Sequence, residues 1–200
     1  MHKGVLMGRS RTLDERLNEI LPTITSSNFL EKRGLGNEIP FYIFDYPSED
    51  ELQVRNHLAF LLDRIGKQHP HIEVIHVELF SVMIRYLRER NLLDKAFEME
   101  AQKGPEALWK ALSASVKPER FVKTVLANHF DFARCDLILM NGVGNVWPWI
   151  RAHSLLNNLQ QVTGDIPLVL FYPGAYDGQS LRLFGKLGGN NYYRAFRLVQ

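Results

Sequence analysis

The sequence predicts an α/β fold, a mostly parallel sheet of about five strands with flanking helices. Three observations carry this. Short apolar runs rich in β-branched and aromatic residues recur at Phe41 to Phe44, Ile72 to Val77, Leu137 to Met140 and Leu168 to Tyr172. Between them, apolar residues repeat at three- and four-residue spacing, as on one face of a helix. Three of the four runs close on Asp, Asn or Pro, which punctuate strands. A β-α-β-α rhythm implies parallel strands joined by right-handed crossovers. Two hundred residues suit one such domain, read here as residues 1–200. With 46% apolar and 23% charged residues the composition is that of an ordinary globular protein. A formal net charge of +2 neither requires nor excludes a nucleic-acid partner.

Taken in order, Thr12 and Glu15 form a capping-box pattern ahead of Leu13, Leu17, Ile20, Leu21 and Ile24. Pro22 falls within this stripe and predicts a helix broken near Leu21. Ser26 to Lys32 adds a turn or two, ended by Arg33-Gly34, so the N-terminal helices occupy 12–34. The first strand opens at Pro40 and closes at Asp45-Tyr46-Pro47. Ser48, with Glu51 three residues on, caps a helix whose buried stripe is Leu58, Leu61, Leu62 and Ile65. After the second strand, Phe80, Met83, Ile84 and Leu87 line another helix. Residues 92–132 carry no strand signal, and Pro105 and Pro118 stand where helices begin. This stretch reads as a helical insertion between the second and third strands.

The third strand leads into Asn141-Gly142-Val143-Gly144-Asn145. A helix is expected from near Pro148, carrying Trp149, Ala152, Leu156 and Leu159 on one face. Gly164-Asp165 turns the chain into the fourth strand, which breaks at Pro173-Gly174 and Asp177-Gly178. Apolar residues then resume at helical spacing as far as Leu187, and Tyr192 to Val199 reads as a last strand.

Ligands of open α/β sheets sit beyond the carboxyl ends of the strands. There the chain places Asp45, Glu78, the 141–145 turn and the 173–178 turn. Asp45, Asn141, Asn145 and Asp177 are therefore the candidate strand-end pocket, in position for a nucleotide or phosphate. Phe41 to Asp45, four apolar residues and an acid, also resembles a metal-coordinating NTPase strand end. The rest of that chemistry is missing. A phosphate loop needs GxxxxGK[ST], whose lysine reaches the phosphates and whose hydroxyl holds magnesium, and the 141–145 turn has neither. His57, His76, His129 and His153 are isolated, and His69 and His71 flank Pro70 in a turn. The lone Cys135 excludes an internal disulfide and reads as a small buried hydrophobe. No Gly-x-Ser-x-Gly elbow occurs. The sequence thus assigns no catalytic, cofactor-binding or metal residue, and the fold is read as a degenerate Rossmann- or P-loop-like domain without its phosphate loop.

From Gly178 onward the charges are Arg182, Lys186, Arg194 and Arg197, with no acid, and Tyr192, Tyr193 and Phe196 interleave with them. Basic and aromatic residues together bind nucleic acid, although four charges give only weak, salt-sensitive binding and the same pattern describes a plain edge strand. Aromatic residues anchor interfaces because they bury large areas at small entropic cost. Trp147, Trp149, Tyr172 and Tyr176, with Arg182, Arg194 and Arg197, are the candidate interface. No apolar run approaches the roughly 18 residues of a membrane helix, and the N-terminus has no signal-like apolar run, so a cytoplasmic location is expected.

Three long strings carry a family resemblance. CDLILMNGVGNVWPWIRAHSLLNNL with FYPGAYDGQSLRLFGKL, and LNEILPTITSSNFLEKRGLGNEIPFYIFDYPSEDEL nearer the N-terminus, resemble the BrxB component of BREX bacteriophage-defence systems. The resemblance runs from about Leu13 to Val199. It implies participation in a system that marks host DNA by methylation and blocks phage replication. BrxB-like proteins are encoded beside a methyltransferase, a large ATPase and the alkaline-phosphatase-like PglZ. The family has no established catalytic activity. The resemblance therefore implies a non-enzymatic adaptor, with PglZ as first expected partner and the BREX ATPase as second.

Overall fold

A computed structural model describes residues 11–31, 40–188 and 195–200. Its strands are β1 (Phe41–Tyr46), β2 (Val74–Glu78), β3 (Leu137–Asn141), β4 (Leu168–Tyr176), β5 (Leu181–Leu183), β6 (Leu187–Gly188) and β7 (Phe196–Arg197). Five of them pair in parallel in the order β2-β3-β4-β1-β7. β4 outlasts that pairing: its last residues, Gly174 to Tyr176, run antiparallel to β5, which pairs in turn with β6. The expected mostly parallel α/β sheet is what the chain forms.

Side chains alternate across a strand with period two, and here both faces are covered. Phe41, Ile43, Ile138, Met140, Leu168 and Leu170 face one core. Tyr42, Phe44, Leu137, Leu139, Val169 and Phe171 face the other. Burial on both faces explains why these strands read as unbroken apolar runs. α1 (Leu13–Ile24) and α3 (Glu51–Gln68) cover the Tyr42 face through Leu17, Ile20, Leu58 and Leu61. Between them, α2 (Ser27–Leu30) is a single turn that buries Phe29. The Phe41 face is covered by α4 (Leu79–Glu89), by Leu112 of α5 (Leu93–Ser115) and by the segment that follows it. That segment runs from α6 (Pro118–Arg120) through a π-helical stretch (Phe121–Leu126) to α7 (Ala127–His129). α8 (Ala152–Thr163) completes this layer.

Local signals account for several boundaries. Both bonds of the capping box form: the Glu15 N–H donates to Thr12 Oγ1 at 3.2 Å, and the Thr12 N–H donates to Glu15 Oε2 at 2.7 Å. Gly104, at φ 80° and ψ 171°, separates α5 into two halves, and Pro105 opens the second. Pro118 opens α6.

The structure also corrects the sequence reading. α1 runs through Pro22 without a break, with the proline in its last turn. A 3-10 turn over Ser48–Asp50 comes before α3, which starts at Glu51 with Asp50 in the cap position. α8 begins at Ala152, not near Pro148, because buried Val146 and Ile150 hold the preceding loop in turns. Residues 181–188 form a hairpin rather than a helix. Leu181 and Leu183 are buried while Arg182 between them is exposed, a period of two, and positive φ at Phe184 and Gly185 makes the turn. The last strand is limited to Phe196–Arg197, and the part of that expectation on 192–194 lies outside the described residues.

Candidate functional site at the carboxyl edge of the sheet

The carboxyl edge holds a buried acid at the end of β1. Asp45 is 8% exposed, and its Oδ1 accepts from Arg16 of α1 at 2.8 Å and from Arg197 of β7 at 2.7 Å. Its Oδ2 accepts the Tyr176 backbone N–H at 2.9 Å. Arg197 also donates to the Tyr176 carbonyl, and the Tyr176 hydroxyl lies 2.6 Å from the Ala195 carbonyl. The Arg16 guanidinium stacks over the Phe44 ring, 4.8 Å from its centroid. One carboxylate therefore joins the N-terminal helix, the end of β4 and the C-terminal strand. A buried charge needs partners of this kind, since desolvation without them costs several kcal/mol.

The other strand-end acids are engaged as well. Glu78 caps α4, accepting the backbone N–H groups of Ser81 at 2.7 Å and Phe80 at 3.3 Å. Asp177 closes its own turn: Oδ1 accepts from the N–H groups of Gln179 at 2.9 Å and Ser180 at 2.7 Å, and Oδ2 from the Ser180 hydroxyl at 2.7 Å. The Ser180 hydroxyl and N–H bonds hold the Asp177 carboxyl down at about 2. This exposed turn is fully stabilised above the ordinary carboxyl value of 3.8 and loses its support as pH falls towards 2. Side-chain NMR should place the Asp177 midpoint near 2 and show it rising in Ser180→Ala; a midpoint near 3.8 in the parent protein would contradict the turn. Beside Asp45, the Tyr46 phenol is pushed up by burial and then by its 2.7 Å hydrogen bond to Glu51, so it stays neutral.

The glycine turn after β3 is equally occupied. Gly142 has φ 83°, and a Cβ there would lie 2.2 Å from Glu78 Oε1. A carboxylate thus sits against the turn that would have to cradle a phosphate, and it repels an anion. Asn141 is buried with its Oδ1 2.9 Å from His76 Nε2, so this side chain bridges β3 and β2. Asn145 is exposed on the loop. The strand-end residues therefore do not converge on one pocket: Asp45 and Asn141 are buried in separate bonds, and Asn145 and Asp177 stand on the surface.

The interface candidates divide in the same way. Tyr172 and Tyr176 are 2% and 1% exposed, core residues rather than surface anchors, because the strand continues through Tyr176. Trp149 is half-buried and donates from Nε1 to the Trp109 carbonyl at 3.4 Å, tying its loop to α5. Arg197 is held by Asp45, which takes it out of the basic strip. Trp147 remains exposed, and so does Arg182, whose guanidinium is 3.7 Å from Asp177. Arg194 lies outside the described residues. Sequence reasoning missed Arg16, which pairs with an acid 29 residues away, and Phe184 and Leu187, which the hairpin leaves exposed. The Leu-Arg-Leu alternation ahead of Phe184-Gly185 was the signal for that hairpin.

Among the described residues no group of three His, Cys, Asp or Glu is placed to hold a metal ion, and no helix is long and apolar enough to cross a membrane. A family model described as BREX protein BrxB matches residues 75–198, from β2 to the end of β7. The chain belongs to the BrxB family of BREX proteins. The BREX protein BrxB of Bacillus cereus (strain H3081.97) is 40% identical over 190 residues, which covers 94% of this chain and 98% of that protein. The BREX protein BrxB of Escherichia coli O9:H4 (strain HS) is 41% identical over 187 residues, covering 94% and 92%. The relatives thus extend the likeness to the N-terminal half, where Arg16 and Asp45 lie. No solved structure matches this chain.

Proposed function

We propose that this chain is a non-enzymatic adaptor of a BREX phage-defence system. It binds other BREX proteins in the cytoplasm, PglZ first and the BREX ATPase second, and so supports host DNA methylation and phage restriction. Family membership supplies the system. The observation that carries the adaptor reading is the state of the strand-end acids: Asp45, Glu78 and Asp177 each have their oxygens engaged by arginines or by backbone N–H groups. An acid in that state is a poor magnesium ligand or general base, because freeing it would break several bonds at once. The nucleic-acid reading is weaker, since Arg197 is bound to Asp45 and, among the described residues, the C-terminal strip keeps only Arg182 and Lys186 as exposed cations.

The test is co-purification of the tagged full-length chain with each BREX protein of the same system in turn. PglZ is expected to be retained after nuclease treatment and at moderate salt. Retention of no BREX protein would overturn the adaptor reading. So would ATP turnover that co-elutes with the folded chain and is lost in Asp45→Asn where that variant remains folded.

A further inference from the structure

The hairpin after β4 presents one residue that turn geometry alone does not call for. Phe184 has φ 54°, in the left-handed region where bulky side chains are disfavoured and where glycine or asparagine is the ordinary choice. It is nonetheless a phenylalanine, 37% exposed. Strained backbone of this kind clusters at sites that bind. The edge of its ring rests on the neighbouring loop, since a Cβ on Gly144 would lie 3.0 Å from Phe184 Cε1 and 3.2 Å from Pro173. That loop carries Trp147, 38% exposed, and the hairpin carries Leu187, 43% exposed. Two abutting turns thus expose three large apolar side chains at the carboxyl edge of the sheet.

The exposed charge on these two segments is net positive, although Glu78 lies against the Gly142 turn and Asp177 against Arg182. Arg151, Arg182 and Lys186 are exposed on the same two segments. Arg197 is bound to Asp45 and adds nothing to this surface, and the exposed acid Asp177 faces Arg182 at 3.7 Å. Three exposed cations are too few for stable binding of a nucleic-acid backbone, where each neutralised phosphate adds only a salt-sensitive increment. They suit a carboxylate-bearing peptide, with the apolar residues supplying the anchor.

We infer that Trp147, Phe184 and Leu187, rimmed by Arg151, Arg182 and Lys186, form a docking surface for an acidic segment with apolar anchors on a protein partner. This rests on the adaptor reading and names the surface through which it works. The tagged chain is purified from cells carrying the complete BREX system, treated with nuclease and cross-linked, and the joined peptides are sequenced. Three variants accompany it: Phe184→Gly, the pair Arg182→Glu with Lys186→Glu, and Phe60→Ala, an exposed aromatic on α3. Phe184→Gly is expected to melt at or above the parent temperature, because it relieves the backbone, yet to retain at least about tenfold less partner. The charge reversal is expected to do the same without change in melting, and Phe60→Ala to bind normally. The cross-linked segment should be net acidic and contain aromatic or aliphatic residues.

Undiminished retention by both surface variants would overturn the docking surface and leave the adaptor reading intact. No retained BREX protein even with the parent chain would remove both. A melting temperature lowered in Phe184→Gly with normal retention would make the ring a loop staple. Retention abolished by nuclease, or cross-links to a basic segment, would also overturn the proposal.

Discussion

Asp45→Ala is expected to lower the unfolding free energy by about 3–5 kcal/mol, because it strips a buried carboxylate from between two guanidinium groups. The lower half of that range applies, since the Arg197 side chain is 34% exposed and regains some water, whereas that of Arg16 is 15% exposed. For a chain of this size the loss corresponds to roughly 10 °C in melting temperature. Asn at position 45 should recover little, because its amide group would point N–H donors at donors already there. The damage should also be distributed. Amide exchange is expected to rise in α1, around Tyr176 and at Leu198, segments far apart in sequence that this acid joins. A melting temperature within about 2 °C of the parent would contradict the keystone role, since on this scale it means under 1 kcal/mol.

Gly174→Ala is the second large effect, and it acts on geometry instead of charge. A Cβ there would lie 2.1 Å from the Arg182 carbonyl oxygen. The obstacle is backbone, which no rotamer change can move, so β4 and β5 must separate. Overpacking of this kind costs about 1–3 kcal/mol. Gly174 and Leu183 are register partners, so the added methyl works beside the turn that carries Phe184. The parallel sheet is expected to survive while amide protection at Leu181 and Leu183 falls. Gly178 offers the control: a Cβ there meets nothing within 4 Å, and only its φ of 93° opposes substitution. Equal effects of Gly174→Ala and Gly178→Ala would show that the close approach of β4 and β5 is not what excludes a side chain.

Much of the fold was legible because local and global signals agree. Three of the four long strands, β1, β3 and β4, are buried on both faces, and Thr12 with Glu15 states its own cap. The failures lie where meaning is nonlocal or period is short. Residues 181–187 satisfy a helical spacing and a strand alternation at once, and the left-handed turn at Phe184-Gly185 decides between them. Tyr172 and Tyr176 looked like surface anchors because Pro173-Gly174 reads as a break, yet β4 continues through both. At the candidate site, the sequence marks Asp45 as unusual but cannot say that Arg16 and Arg197, 29 residues before it and 152 after, neutralise it. An acid placed as in an NTPase is here a three-way tie.

The central claim is that the carboxyl edge of this sheet binds a protein and does no chemistry. Hydrogen exchange on the full-length chain tests it most directly, measured alone, with a co-purified BREX protein, and with ATP and magnesium. The account predicts new protection over residues 142–150 and 181–187 with the protein partner, and no change at Asp45 or Asn141 with nucleotide. Protection of 45–47 and 141–145 by nucleotide, with the hairpin unchanged by any BREX protein, would contradict it.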